Sequence, residues 1–161
     1  MNKYKTEIKW AVIFSACTLA WVFFEKMMGW HDELIAKHYL YTNIFGIVAI
    51  VLYVKALKDK KENDLEGQMS WKQGMVSGIA LSVFIAILSP LVQFNIATFI
   101  SPDFFSNAIA YAVESGKDKA MAEAFFNIKS YMLQSVFGAL SMGVVAAAIV
   151  ALFLKNKKNS N

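Results

Sequence analysis

Residues 73–102, QGMVSGIALSVFIAILSPLVQFNIATFISP, run for thirty positions without an Asp, Glu, Lys, Arg or His. A helix needs roughly 20 apolar residues to cross about 30 Å of hydrocarbon, so this stretch alone predicts a membrane span with length to spare. A second such run, 130–154, is twenty-five residues long. Two shorter ones, 10–24 and 39–54, reach fifteen and sixteen. They extend to full spans because Lys9, Glu25, Lys26, His38 and Lys55 stand at their ends, where long or polar side chains reach the headgroups. The composition points the same way: 57% of the 161 residues are hydrophobic and the mean hydropathy is +0.44, against roughly 45–50% apolar in soluble domains.

These runs predict one all-α membrane domain, 1–161, with four transmembrane helices at about 6–28, 33–57, 71–100 and 126–154. The polar connection before the fourth span carries apolar residues at helical spacing. Phe105, Ile109 and Ala112 form one stripe, and Met121, Phe125 and Ile128 another. They predict an external amphipathic helical hairpin, its first arm at about 102–114, its second running on into the fourth span, and its stripes facing each other or the membrane surface.

Every one of the sixteen basic residues is Lys. Nucleic-acid recognition relies on the bidentate fork of Arg, so a chain of net charge +4 without any Arg is a poor nucleic-acid binder. Its charge suits anionic lipid instead. Eleven of the lysines fall in the N-terminus (Lys3, Lys5, Lys9), the middle loop (Lys55, Lys58, Lys60, Lys61, Lys72) and the tail (Lys155, Lys157, Lys158). That alternation predicts four crossings with both termini cytoplasmic. A single cysteine, Cys17, excludes an intramolecular disulfide and a CxxC site. The FSAC before it faintly resembles a lipoprotein cleavage site, but the apolar run continues as TLAWVFF, so the segment is expected to remain helix 1.

Local signals set the helix ends. Gly29 stops helix 1 near Met28. Asp32 and Glu33 suit the positive end of helix 2, with Lys37 four residues beyond Glu33. Ser70 and Gln73 form a capping-box pattern at the start of helix 3, and Pro90 predicts a tilt or kink within it. Ser101 and Pro102 suit the cap and first position of the hairpin.

Small residues recur every four positions on both long spans: Gly74, Gly78, Ser82 and Ala86 on the third, and Ser135, Ala139, Gly143, Ala147 and Ala151 on the fourth. Such ladders let backbones approach closely in lipid. They predict packing of helix 3 on helix 4, with a homodimer seam as the alternative.

The stretch GWHDELIAKHYLYTN, 29–43, places both histidines and two carboxylates between apolar runs. On one continuous helix, seven residues separate His31 from His38 by roughly 10.5 Å, so no metal and no cofactor are expected unless a bent start leaves His31 in the loop. HExxH and GxSxG are absent, and so is a mid-span carboxylate. The expectation is a polar cap, with no catalytic residues. Yet Asn43, Ser89, Gln93, Asn95 and Gln134 all fall in the outer halves of their spans, with Glu25, His31 and His38 above them. Polar groups in hydrocarbon seek each other or water, which predicts a shared hydrogen-bonded cluster, either structural glue or a ligand pocket.

The blocks EKMMGWHDELIAKHYLYTN, SWKQGMVSG, AILSPLVQ, SPDFFSNAIAYAVESGK and AEAFFNIKSYMLQS, followed by a Lys-rich end, resemble an uncharacterised family of small bacterial inner-membrane proteins, a domain of unknown function of the 4199 type, from Met1 to about Lys158. The resemblance implies a four-helix protein of the bacterial cytoplasmic membrane and supplies no activity or site residues. Function is therefore expected to be non-enzymatic: an accessory or interaction protein packing through the ladders with itself or a membrane partner, or a small transporter or ligand- or lipid-binding protein using the outer polar cluster.

Overall fold

The computed structural model describes residues 3–156, so Met1 and the tail residues Lys157 and Lys158 lie outside the described residues. Among these, all regular structure is helical. The elements are α1 (Lys5–Met27), a 3-10 turn (Ile35–Lys37), α2 (His38–Thr42), α3 (Phe45–Asn63), α4 (Trp71–Asn95), a π turn (Ile96–Ile100), α5 (Phe104–Glu114), α6 (Lys119–Phe125) and α7 (Ile128–Leu154). Four helical segments, Lys5–Met27, Ile35–Asn63, Trp71–Ile100 and Ile128–Leu154, are long and apolar enough to cross a membrane.

The bundle is built around α4 and α7, antiparallel partners whose two ladders face each other. A Cβ placed on Gly74 would overlap the Ala151 methyl, one on Gly78 the Ala147 methyl, and one on Gly143 the Ser82 side chain and the Tyr53 hydroxyl. The absent Cβ atoms are thus the reason the two backbones come so close, the arrangement that lipid favours. Ser82 donates to the Gly78 carbonyl at 2.8 Å, which leaves its oxygen to accept from Tyr53 on α3, also at 2.8 Å. Helices α1 and α3 complete the bundle against this pair, with Ala11, Tyr53, Ala56, Leu57, Leu81, Ala147 and Val150 in the shared core.

One end of the bundle gathers both ends of the described chain and the α3–α4 loop. Glu7, buried in α1, accepts from Ser77 at 2.7 Å and pairs with Lys60 at 3.1 Å. Asp59 pairs with Lys9 and accepts from the Trp10 indole at 2.6 Å. Lys61 caps the end of α7 by donating to the Leu154 carbonyl, and the Asn156 side chain and backbone hold Met69. Ser70 and Gln73 form the reciprocal capping box at the start of α4.

Pro90 lies inside α4 and lacks the amide hydrogen that would bond to the Ala86 carbonyl. The hydroxyl of Ser89 bonds to that carbonyl instead, at 2.9 Å, so the helix continues to Asn95 before the ladder widens into the π turn.

One expectation needs correction. The second arm of the connecting hairpin does not run on into the fourth span: Phe126 and Asn127 leave helical geometry, and Asn127 caps α7 through Ser130. On α5 the residues buried against the rest of the chain are Phe104, Ala108 and Ala112. On α6 it is Ala122 that is buried, while Met121 and Phe125 are 73% and 51% exposed. Phe104 faces the opposite end of the bundle, where the polar stretch lies.

Candidate functional site

The chain between α1 and α2 is not a helix cap in the expected sense. Gly29 takes a left-handed φ of 75°, stopping α1, and the Leu34 amide returns to the Gly29 carbonyl at 2.8 Å. Residues 29–34 therefore fold into a compact turn before the next helix starts at Ile35. Trp30 anchors it by stacking on Tyr41, ring centroids 4.3 Å apart. Asp32 does not sit on a helix dipole. It pairs with Lys26 at 2.6 Å and accepts from Asn107 of α5 at 2.9 Å, while Glu33 is exposed.

This turn overturns the geometric objection to a joint histidine site. His31 folds back under the bundle end, and its ring centroid lies 5.0 Å from that of His38 instead of two helical turns away. Glu25, from the last turn of α1, completes the group: its Oε2 is 3.2 Å from His31 Nε2. One donor atom from each of Glu25, His31 and His38 lies within 4.8 Å of the others.

Each member is held from behind. Glu25 Oε1 accepts from the Trp21 indole, one turn earlier on α1, at 2.6 Å. His31 Nδ1 meets the Ser101 hydroxyl at 3.0 Å, and the His31 carbonyl accepts from Asn107 at 3.0 Å. Phe104 lies against both imidazoles, its centroid 5.1 Å from His31 and 5.0 Å from His38, and packs on Tyr131 of α7. Glu25 and His31 are only 1% and 2% exposed, and His38 is half-buried with its Nδ1 shielded from solvent and unbonded. Two imidazoles and a carboxylate facing one another form a set of electron-pair donors able to hold a cation or exchange a proton.

The remaining members of the expected polar cluster do not join it. Asn43 bonds to the Tyr39 carbonyl, Ser89 to Ala86, Asn95 to Leu91 and Gln134 to the Ser130 hydroxyl, each within its own helical segment. In-helix partners outcompete a shared network because the i−3 and i−4 acceptors are already in place. Asn43, Ser89 and Gln93 do line a common groove of about 540 Å³, otherwise walled mainly by apolar residues such as Phe14, Phe45 and Met142.

Sequence reasoning missed Trp21, Ser101, Phe104 and Asn107. Trp21 was discoverable from its i, i+4 spacing to Glu25. Ser101 was assigned to a cap, but Asp103 precedes α5 and the Ser101 hydroxyl is turned onto His31.

No curated protein and no solved structure matches the chain. A family profile does, over residues 9–156, nearly the whole of it and including the complete Glu25–His31–His38 group. The chain belongs to the family described as protein of unknown function (DUF4199).

Proposed function

We propose that the chain is a non-enzymatic, multi-pass membrane protein that binds a small ligand through Glu25, His31 and His38. The observation that carries this reading is the gathering of both histidines of the chain around a buried carboxylate at the end of an apolar bundle, with His31 buried and His38 half-buried. Ionisable groups at such depth are expensive, and in membrane proteins they mark sites of binding or transfer. The alternative, an accessory subunit docking through its small-residue ladders, is less well supported. Those ladders are occupied by each other within one chain.

The lysine distribution supports the orientation: the bundle end carrying Lys9, Lys60 and Lys61 is cytoplasmic, in a bacterial cytoplasmic membrane, and the ligand group faces the other side. The exposed Met121 and Phe125 then lie at the outer membrane surface.

Native mass spectrometry of the full chain released gently from its own membrane tests the binding reading. The expected result is a chain carrying an adduct that His31→Asn loses. A bare wild-type chain, together with equal thermal stability of wild type and variant across a panel of small cations and metabolites, ends it.

A further inference from the structure

The ligand group carries three features that a generic polar pocket does not require. First, the donor atoms are already near coordination spacing. Metal–nitrogen bonds of about 2.0–2.1 Å place tetrahedral ligands roughly 3.3 Å from one another, and Glu25 Oε2 and His31 Nε2 are 3.2 Å apart. His38 completes the set: one donor atom from each of the three residues lies within 4.8 Å of the others.

Second, the atoms of Glu25 and His31 that face away from the centre are held by neighbours outside the group. The Trp21 indole holds Glu25 Oε1, and the Ser101 hydroxyl holds His31 Nδ1. Ligating histidines characteristically fix their tautomer through the second ring nitrogen, and ligating carboxylates are likewise held by hydrogen bonds. A hydroxyl partner both donates and accepts. It therefore allows His31 to move its proton to Nδ1 and free the Nε2 lone pair for a metal.

Third, a simple Glu25–His31 ion pair would satisfy those two groups and leave His38 stranded. The Nδ1 of His38 is shielded and has no hydrogen-bond partner, an arrangement that native proteins rarely leave unexplained. A shared cation accounts for all three side chains at once.

From this geometry we infer that the group is a binding site for one divalent transition-metal ion of the Zn²⁺ type, held by Glu25 Oε2, His31 Nε2 and a ring nitrogen of His38. This rests on the ligand-binding reading above. Two imidazoles and one carboxylate suit Zn²⁺, Co²⁺, Ni²⁺ or Cu²⁺, whereas Mg²⁺ and Ca²⁺ require oxygen shells. Three protein donors leave a position for an exogenous ligand. Binding takes the Nε2 lone pair of His31 once its proton sits on Nδ1, facing the Ser101 oxygen. It also ties α1, the 29–34 turn and α2 into one unit, with Ser101 bringing in the segment before α5.

The test uses the full, tag-free chain in lipid nanodiscs after chelator treatment. Both histidines of the chain lie in the site, so imidazole ligation has no other origin. Titration with Zn²⁺ alone is expected to show one ion per chain. His38→Asn and His31→Asn should each weaken binding by about 100-fold or more, and Ser101→Ala, which only supports His31, by about 10-fold. Titration with Co²⁺ should give the intense visible bands of a four-coordinate ion. These need no substitution and read the site even where a variant misfolds. A helical, monodisperse wild-type chain that takes up neither ion overturns the inference, as does a folded His38→Asn chain that binds Zn²⁺ like wild type. If the metals fail while native mass spectrometry still shows an adduct lost in His31→Asn, the metal is wrong and the ligand reading stands. If both fail, both fall.

Discussion

The Ser101 hydroxyl and the His31 ring, seventy positions apart in the chain, meet at 3.0 Å, and both residues are almost fully buried. The contact joins the turn after α1 to the segment leading into α5, and Asn107 reinforces it from the first turn of that helix. Ser101→Ala leaves a buried imidazole nitrogen without a partner, an omission that costs about 1–3 kcal/mol. Hydrogen exchange should show faster exchange at 29–34 and in the first turn of α5, with α4 and α7 unchanged. Unaltered protection in those two segments would show that the bond holds nothing together.

The facing of Gly78 and Ala147 makes a reciprocal prediction. Gly78→Ala drives a methyl group into the Ala147 methyl and should destabilise the bundle by about 1–3 kcal/mol, the usual range for overpacking. Adding Ala147→Gly to the same chain returns the space and should recover part of the loss, although Gly in a helix itself costs about 1 kcal/mol. Thermal unfolding measured alongside molar mass decides the matter. A change in oligomeric state with intact thermal stability would place the ladders between chains.

Which parts of this architecture were legible follows from the range of the signals. Span length is a property of contiguous sequence, so the run 73–102 announced itself, and the helix ends at Gly29 and Ser70 are written in neighbouring residues. The ladders were visible as periodicity, and their mutual facing follows from antiparallel neighbours. The site was not legible as a site. Its central event is the path of six residues, 29–34, and nothing in helical periodicity tells where a turn will aim His31. Ser101 satisfied a local cap grammar that the tertiary contact overrode. That Phe104 and not Phe105 turns onto the imidazoles is a difference of a single residue, too small for an i, i+4 pattern to resolve when both positions are Phe.

Ser89 and Pro90 form a self-contained repair within α4. Ser89→Ala leaves the Ala86 carbonyl without its 2.9 Å bond, at the position where Pro90 has no amide hydrogen to offer, and should cost about 1–2 kcal/mol. In a Pro90→Ala background the restored amide bonds to Ala86, so Ser89→Ala should become nearly neutral. A double-mutant cycle read by thermal unfolding gives the coupling. Additive effects would mean that the hydroxyl is not standing in for the proline's missing hydrogen.

Asp64 follows α3 directly, and the Lys60 ammonium at 2.9 Å, joined by the Thr6 hydroxyl at 3.0 Å, holds its carboxyl below the ordinary value of 3.8. A carboxyl more acidic in the folded state than in the unfolded one stabilises the fold above that ordinary value, and the contribution fades as the pH falls through the folded value. Asp64→Asn should therefore destabilise the chain modestly at neutral pH, by about 0.2–1 kcal/mol for so accessible a pair. The gap between variant and wild type should narrow below about pH 4. Unfolding midpoints measured across that range check it, and a gap that stays constant would assign the effect to packing.

Phe104 is the cover of the site. Its ring lies about 5 Å from each imidazole and continues onto Tyr131, so the donor group is closed on that side by aromatic surface and not by backbone. Phe104→Ala removes the cover along with a buried side chain, and core truncations of this kind cost about 3–5 kcal/mol. Stability alone would not separate cover from core. Phe104→Leu does, because it keeps most of the apolar volume at a cost usually under about 1.5 kcal/mol while withdrawing the ring from the histidines. Acylation by diethyl pyrocarbonate reads the difference, since the reagent reports only on His31 and His38 among imidazoles. The wild-type chain should react slowly, Phe104→Leu at an intermediate rate and Phe104→Ala fastest, with Glu25 and Ser101 still in place in every case. Equal rates in all three would mean that solvent already reaches the site by another route, most directly past the half-buried His38.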